Sequence, residues 1–370
     1  MRPRIGPLAY APRMEALIRW ARRRWKPVSG FAFTVAFLAA IFVWVLPRLI
    51  DYGDVWDALT GLAWPWWIAL LTATIINIAT FAPPMMAVLP GLRFRPALAV
   101  ALASNASTYL APGGAAIGAG FQAAMLRGWG VRGGDITLAI GLYAIWNQLV
   151  IFGSPALAFA LLTYEGGRYP LLQTMALIGL FVFAGLVVFF ALALRSPEDA
   201  RRVGDLAARV ASRLLRVVRR PPVDWSGATF VDFRADAVHL IRARWHWLTL
   251  ATIMGHYTVY LVLVVAMYAV GLDGEVTLIE SFAAWSLVRV LGSLPLLPGG
   301  FGLVEIGLTG ALVAFGGGSA DVFAAVLLYR FLTIVPPVAL GALFAITWQR
   351  HHPRWREGAE EPVGARASGG

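Results

Sequence analysis

The 370-residue sequence has no cysteine, and only 14% of its residues are charged. The absence of cysteine excludes disulfides, thiolate metal ligands and cysteine nucleophiles. A soluble domain usually carries about 25% charged residues, so the low charge argues against a soluble fold. Lysine is nearly absent too: Lys26 is the only one, and arginine supplies almost all of the positive charge, as codon bias in a GC-rich genome would produce.

Motifs that mark common enzymes are also missing. The sequence has no P-loop, no H-x-x-x-H metal pair, no G-x-S-x-G nucleophile motif and no Asp-x-Asp nucleotide-sugar site. We therefore predict no catalytic residue, no metal site and no cofactor, and we do not expect an enzyme.

Long apolar runs are what the sequence has in abundance. It is 59% hydrophobic, and its mean hydropathy is +0.70. Runs of about 20 apolar residues predict an all-α polytopic membrane protein with about six full transmembrane helices. The first run follows an Arg-rich segment and precedes no small-residue cleavage site, so we expect a retained span and not a signal peptide. The predicted spans are 30–50, 64–89, 136–162, 171–194, 247–270 and 322–348.

Two further apolar stretches are each interrupted by a Pro-Gly-Gly break, Pro112-Gly113-Gly114 and Pro298-Gly299-Gly300. The stretch before the first break, 97–111, is about 22 Å long as a helix. It is too short to cross about 30 Å of hydrocarbon. We predict two re-entrant hairpins, each entering and leaving on one side of the membrane. Ordinary surface loops, or kinks in full spans, are the alternative.

Charge distribution predicts the topology. The +11 formal charge is concentrated in an N-terminal arm, the loops and the tail, so it indicates positive-inside loops and not nucleic-acid binding. Six spans place both termini in the cytoplasm, and the hairpins then enter from opposite sides as an inverted repeat. We expect a bacterial inner (plasma) membrane protein. Its predicted segments are a basic arm (1–28), a first membrane half (29–195), an Arg-rich amphipathic cytoplasmic loop (196–246), a second membrane half (247–348) and a cytoplasmic tail (349–370).

The breaks are the first candidate binding elements. A helix that begins near the membrane centre exposes unpaired N–H groups and the positive end of its dipole. These donors need a partner in hydrocarbon, and an anionic group such as phosphate is the natural one. Both Pro-Gly-Gly breaks are therefore predicted to contact an anionic substrate.

Charged residues within apolar stretches are the second candidates. Arg289, Glu305 and Arg330 each cost at least about 2.5–3.5 kcal/mol at the bilayer centre unless paired or hydrated. We hypothesise that both arginines face a cavity and that Glu305 balances one of them or bonds the N–H groups of its own break. A structural ion pair is the alternative. Glu280 is close enough to the outer interface to be solvated.

Uncharged polar residues are the third candidates. Ser104, Asn105 and Thr108 share a helical face that leads into the first break, where they can line a cavity. Interhelical hydrogen bonding is the alternative, and it fits Asn77, Asn147 and Gln148 at least as well. His256 is expected to be a satisfied packing residue and not a proton relay.

Three segments support a family resemblance. The segment LPGGFGLVEIG at 297–307, the arginine-bearing YRF at 329–331 and the first break, SNASTYLAPGG at 104–114, resemble the lysylphosphatidylglycerol synthase/flippase transmembrane family. Many relatives follow the first break with a Gly-Glu pair and an arginine, whereas AAIGAGFQ at 115–122 has no acid. The resemblance covers about residues 30 to 348.

This resemblance implies a lipid flippase. The chain ends about 20 residues after its last predicted span, so we expect the family's cytosolic synthase domain to be absent. The implied function is movement of an anionic lipid, a phospholipid or a polyprenyl-phosphate carrier, between leaflets, beside a separate lipid-modifying enzyme as a possible partner. The alternatives are a transferase with a polyprenyl-linked donor, which should need an outward-facing acid such as Asp273 or Glu280, and a small-solute secondary transporter.

Overall fold

The structure is a computed structural model that describes residues 52–110, 114–164, 170–217, 226–293 and 298–348. Within these ranges all regular secondary structure is helical, which confirms the predicted all-α class. Short 3-10 turns lie at Leu272–Gly274 and Pro298–Gly300. The helices are α1 (Tyr52–Thr60), α2 (Trp64–Ala79), α3 (Ala82–Val88), α4 (Phe94–Leu110), α5 (Gly114–Gly128), α6 (Gly133–Tyr164), α7 (Pro170–Arg195), α8 (Pro197–Val217), α9 (Gly227–Ala269), α10 (Leu278–Ser293), α11 (Leu303–Ala314) and α12 (Ser319–Thr347).

Five stretches of the described chain are long and apolar enough to cross a membrane, and they correspond to the second through sixth predicted spans. The first predicted span, 30–50, lies outside the described residues, as do the N-terminal arm and the C-terminal tail. Only 11% of the α7 span is buried, so apolar side chains such as Phe181 and Val188 face outward, where lipid tails would cover them. The protein is a multi-pass membrane protein. The five stretches are Trp64–Val88, Gly133–Tyr164, Leu177–Arg195, Gly227–Ala269 and Ser319–Thr347.

Two predicted elements differ in detail. The second span bends between α2 and α3, because Pro83 and Pro84 lack the N–H groups that would continue the α2 ladder. The end of the predicted amphipathic loop, 196–246, is continuous with the fifth predicted span, 247–270, and together they form the 43-residue α9. Arg234 of α9 donates hydrogen bonds to the carbonyls of Leu194 and Arg195, which anchors the C-terminal end of α7.

The first hairpin consists of α4 and α5, which pack antiparallel on both sides of the first break. A Cβ atom on Gly114 would overlap the backbone at Ser107 and Thr108, and one on Gly118 would lie 2.6 Å from the Ser104 carbonyl oxygen. Glycine therefore permits the close approach of the two helices. At 17 and 15 residues, the helices are about 25 and 22 Å long, less than the hydrocarbon thickness.

The second hairpin consists of α10 and α11, which pack antiparallel on both sides of the second break. Gly292 lies against Val304. Three to four residues farther from the break in each helix, Gly307 lies against Val288. The α11 helix has only 12 residues and is too short to span hydrocarbon by itself.

The long helix α12 shows how the hairpins are oriented. Near its C-terminal end, Trp348 lies against Gly128 at the base of the first hairpin. At its N-terminal end, Val322 lies against Gly317, which follows the second hairpin. Arg330, between these ends, contacts the second break. The two hairpins therefore approach one another from opposite ends of α12.

Candidate functional site

The tips of the two hairpins meet. The Tyr109 ring, at the end of α4, packs edge-on against Phe301 with a centroid distance of 5.9 Å. Gly299, Gly300 and Gly302 all have positive φ, at 60°, 65° and 80°, a region that L side chains rarely adopt. A Cβ atom on Gly299 would overlap the Tyr109 ring. Glycine is thus required at this contact for both backbone conformation and space.

Arg330 ties α12 to the second break. Its Nε donates a 2.6 Å hydrogen bond to Glu305 Oε1, and its Nη2 donates a 3.1 Å bond to the Gly299 carbonyl. The guanidinium carbon also lies 5.3 Å from the centre of the Phe301 ring. Arg330 therefore holds the break in shape through a charge, a backbone carbonyl and an aromatic face.

Glu305 completes the N-terminus of α11. Its Oε2 accepts a 2.6 Å hydrogen bond from the Gly302 N–H, while its Oε1 accepts the bond from Arg330. The carboxylate is 3% exposed, so both of its oxygens are satisfied internally. Glu305 thus balances Arg330 and bonds the N–H of its own break, contacts that the alternative of a structural ion pair describes equally well. That donor is therefore not available to a substrate.

A polar cavity lies beside the meeting point and has two adjacent lobes, of about 170 and about 240 Å³. We call them the polar lobe and the apolar lobe. The wall shared by both consists of Asn105, Tyr109, Asn147, Arg289, Tyr329 and Arg330. The polar lobe is further lined by Asn77, Thr80, Phe81, Pro84, Tyr143, Thr252, Gly255, His256, Val259 and Thr333. The apolar lobe is further lined by Thr108, Ile151, Trp285, Val288, Gly292, Ser293, Gly299, Val304 and Leu308.

Arg289 reaches this cavity from α10 and is held by neutral groups. Its Nη2 lies 2.7 Å from His256 Nδ1, and its guanidinium carbon lies 5.4 Å from the Trp285 ring centre. Because guanidinium is only a donor, His256 Nδ1 must be the acceptor, and the imidazole proton is then on Nε2. That N–H faces Asn147 Oδ1 at 3.1 Å and donates to it. Neutral His256 thus orients Arg289 between α6, α9 and α10.

The cavity has an excess of positive charge. Arg330 is balanced by Glu305, whereas Arg289 forms no ion pair with a carboxylate of the described residues. No carboxylate of the described chain lines either lobe. An unpaired cation at membrane depth costs several kcal/mol unless a counter-ion or water accompanies it. The arrangement therefore favours binding of an anion beside Arg289.

The structure places five of the twelve predicted site residues in the wall of this cavity. Arg289, Arg330, Asn105 and Thr108 line it, together with Gly299. Ser104 is an exception: its hydroxyl is turned toward Gly118 in the first hairpin, because it lies about 100° around α4 from Asn105.

The remaining predicted residues lie at the breaks. Gly114 is in the hairpin contact, and Gly300 is packed against Gly292. Pro298 begins the 3-10 turn of the second break, and Glu305 lies behind Arg330. Pro112 and Gly113 lie outside the described residues.

Sequence reasoning missed much of the cavity wall. Asn147 and His256 were expected to serve packing or interhelical bonding; they do bond to each other, and they also line the cavity. Tyr143 and Thr333 carried no signal beyond being polar groups within apolar helices, and Tyr329 was noted only as part of the YRF motif. Asn77 does bond across helices, to Thr258 of α9, as its alternative interpretation allowed.

Comparison with protein families adds to this geometry. The family model of the lysylphosphatidylglycerol synthase TM region matches residues 9–341. The chain belongs to this family. The match includes both hairpins and α12 through Gly341, so it covers every residue that lines the cavity. A search of the curated proteins finds no match.

Proposed function

We propose that this member of the lysylphosphatidylglycerol synthase transmembrane family is a flippase-like protein that moves an anionic lipid between leaflets. The observation that carries the proposal is Arg289, which has no ion-pair partner among the described residues and lies in a cavity that none of their carboxylates lines, where two short hairpins meet. A lipid phosphate supplies the missing negative charge and can accept several hydrogen bonds. Arg330 lies on the same wall and adds a second guanidinium.

The arrangement of the hairpins supports access from both leaflets. Each hairpin is too short to cross the hydrocarbon, and the two approach from opposite ends of α12. We propose that both are re-entrant and related as an inverted repeat, an architecture that many transporters use to place a site at the bilayer midplane. A headgroup at the tips is then separated from each aqueous face by one hairpin.

The orientation follows from charge. Arg93 and Arg127 lie at the base of the first hairpin, and Asp273 and Glu275 precede the second hairpin. Positive-inside placement puts the first base in the cytoplasm. We propose cytoplasmic termini and a location in a bacterial inner membrane. The protein would act without catalysis, with a separate lipid-modifying enzyme as partner.

Glu280, one of the two acids on which the transferase alternative would depend, is used structurally. The Glu280 carboxylate accepts hydrogen bonds of 3.0 Å from the N–H and the hydroxyl of Thr277, and so caps α10. Glu280 does not line the cavity. This arrangement favours transport over group transfer.

A labelled-lipid assay in proteoliposomes tests the proposal. Protein should accelerate exchange of an anionic phospholipid between leaflets, and Arg289→Gln should slow it by about 10- to 100-fold, because a hydrogen bond to a charged group contributes about 1.5–3 kcal/mol. Arg242→Gln removes the same charge from an exposed position of α9 and should leave the rate unchanged. Exchange no faster with protein than without it would reject the proposal.

A further inference from the structure

The Arg-rich helix α8 packs on α9 along one narrow face. A Cβ atom on Gly204 would lie 2.8 Å from the Phe230 ring, so the two helices approach closely there. Asp205 Oδ1 accepts a 2.8 Å hydrogen bond from the Gly227 N–H at the start of α9. Ala200, one turn before Gly204, is fully buried. These contacts fix the rotation of α8 about its axis, and thereby determine which of its side chains face outward.

Two apolar side chains of α8 face outward beside this packing face. Leu206 is 49% exposed and Val210 is 47% exposed, and the two lie about 40° apart around the helix. Interfacial helices bury such a strip about 5–10 Å into the boundary between headgroups and acyl chains. Leu206 and Val210 therefore form an apolar strip that suits a membrane surface better than water.

A row of arginines adjoins the apolar strip. Its four members fall within an arc of about 60° and are all exposed: Arg202, Arg209, Arg213 and Arg216. The only ion pair that an α8 arginine forms with another described residue joins Arg202 to Asp199 at 3.8 Å. From Leu206 to Val217 the helix carries three arginines and no carboxylate, so this arginine row has a net positive charge.

The junction between α7 and α8 lies at the membrane surface. The apolar span of α7 ends at Arg195, and α8 begins at Pro197. Arg234 of α9 holds the end of α7 through two carbonyl groups. A helix that projected from this junction into the cytoplasm would carry the apolar strip into water. A helix that lies along the surface places the strip against acyl chains and the arginine row beside phosphates.

We propose that α8 lies in the headgroup layer and binds anionic phospholipids there, at a site separate from the cavity. The apolar strip enters the acyl boundary, and the arginine row donates charge-assisted hydrogen bonds to lipid phosphates. An acidic segment of a soluble protein would match the charge of the row but would leave the strip in water. Binding at α8 does not require transport, because the bound lipids stay in one leaflet.

The absence of cysteine permits a direct test of depth. Single-cysteine variants Leu206→Cys, Val210→Cys and Arg201→Cys are labelled with bimane, and each protein is placed in nanodiscs of phosphatidylcholine and phosphatidylserine. Doxyl groups on the lipid tails should quench the labels at Leu206 and Val210, while aqueous iodide should not.

Arg201 provides the control on the same helix. It is exposed and lies about 140° around α8 from Leu206, so its label should be quenched by iodide and not by the doxyl lipids. Iodide quenching at all three positions without doxyl quenching would place the apolar strip in water, as binding of an acidic protein segment requires, and would overturn the inference.

A second measurement tests the preference for anionic lipid. Doxyl-phosphatidylserine and doxyl-phosphatidylcholine are compared, at the same mole fraction, as quenchers of the Val210→Cys label. The anionic lipid should quench about fivefold more effectively, the ratio that one arginine contributes near an anionic leaflet. Arg209→Gln with Arg213→Gln, which removes the arginines on both sides of Val210, should abolish most of this preference.

Two control variants locate the preference. Arg93→Gln with Arg95→Gln removes the same charge from exposed positions at the base of the first hairpin, and it should leave the preference unchanged. Arg289→Gln should also leave it unchanged, because Arg289 lies in the cavity wall and not on α8. Equal quenching by the two lipids without these substitutions, or loss of the preference in either control, would overturn the assignment of an anionic-lipid site to α8.

Discussion

The buried pair between Glu305 and Arg330 should be the most sensitive point of the second break. Glu305 is 3% exposed and Arg330 is 8% exposed, and the carboxylate also accepts from the Gly302 N–H. Glu305→Gln leaves an uncompensated guanidinium beside the break. Arg330→Met leaves an uncompensated carboxylate and frees the Gly299 carbonyl.

The expected losses follow from the burial of the pair. Removing one partner of a buried ion pair costs about 3–5 kcal/mol, because the other charge stays buried without compensation. At about 2 °C per kcal/mol, each single variant should lower the unfolding temperature by roughly 6–10 °C. The double variant, Glu305→Gln with Arg330→Met, carries neither charge. Its loss of unfolding free energy should therefore be smaller than the sum of the two single losses by about 1–3 kcal/mol.

Thermal unfolding in detergent, followed by tryptophan fluorescence, measures these effects. An exposed pair, Arg132 with Asp135, provides a matched control: its distance is 3.0 Å, and its side chains are 74% and 43% exposed. Its coupling should not exceed about 1 kcal/mol. If the losses of stability in the Glu305 and Arg330 variants are additive and no larger than those of the exposed pair, this ion pair does not hold the second break in shape.

Two further predictions concern the tips and the cavity. Gly299→Ala should lower the unfolding temperature by several degrees, because the position has positive φ and its Cβ would overlap Tyr109. Gly310→Ala, which has open space around its Cβ, should be neutral or slightly stabilising. Equal unfolding temperatures for the two variants would contradict the close contact between Gly299 and Tyr109. His256→Leu should slow anionic-lipid exchange about tenfold, because it removes the acceptor that orients Arg289. His256→Gln retains an acceptor and a donor, so its rate should stay within about twofold of wild type. Equal rates for the two variants would exclude a positioning role for His256.

Apolar run length was enough to predict the spans. Five of the six fall on helices that can cross a membrane, since a run of about 20 apolar residues has few other stable environments. The bend at Thr80 was missed, although Pro83 and Pro84 signal it. The continuity of α9 was missed because amphipathic and fully apolar segments have different patterns even when one helix contains both.

The charged part of the site was easier to predict than the polar part. Arg289, Glu305 and Arg330 were conspicuous because charge is expensive within apolar sequence. Asn147 and His256 were not, since a polar residue in a span forms interhelical bonds whether or not it also faces a cavity. Only tertiary structure brings Asn77, Asn147 and His256, from three different helices, to one lobe.

The most direct test of the central claim is an experimental structure of the protein in lipid nanodiscs that contain an anionic phospholipid. We predict phosphate density within hydrogen-bonding distance of Arg289, with the Tyr109–Gly299 contact near the middle of the hydrocarbon layer. Hairpin tips in bulk water, or an Arg289 whose only contacts are protein groups at saturating lipid, would contradict the account.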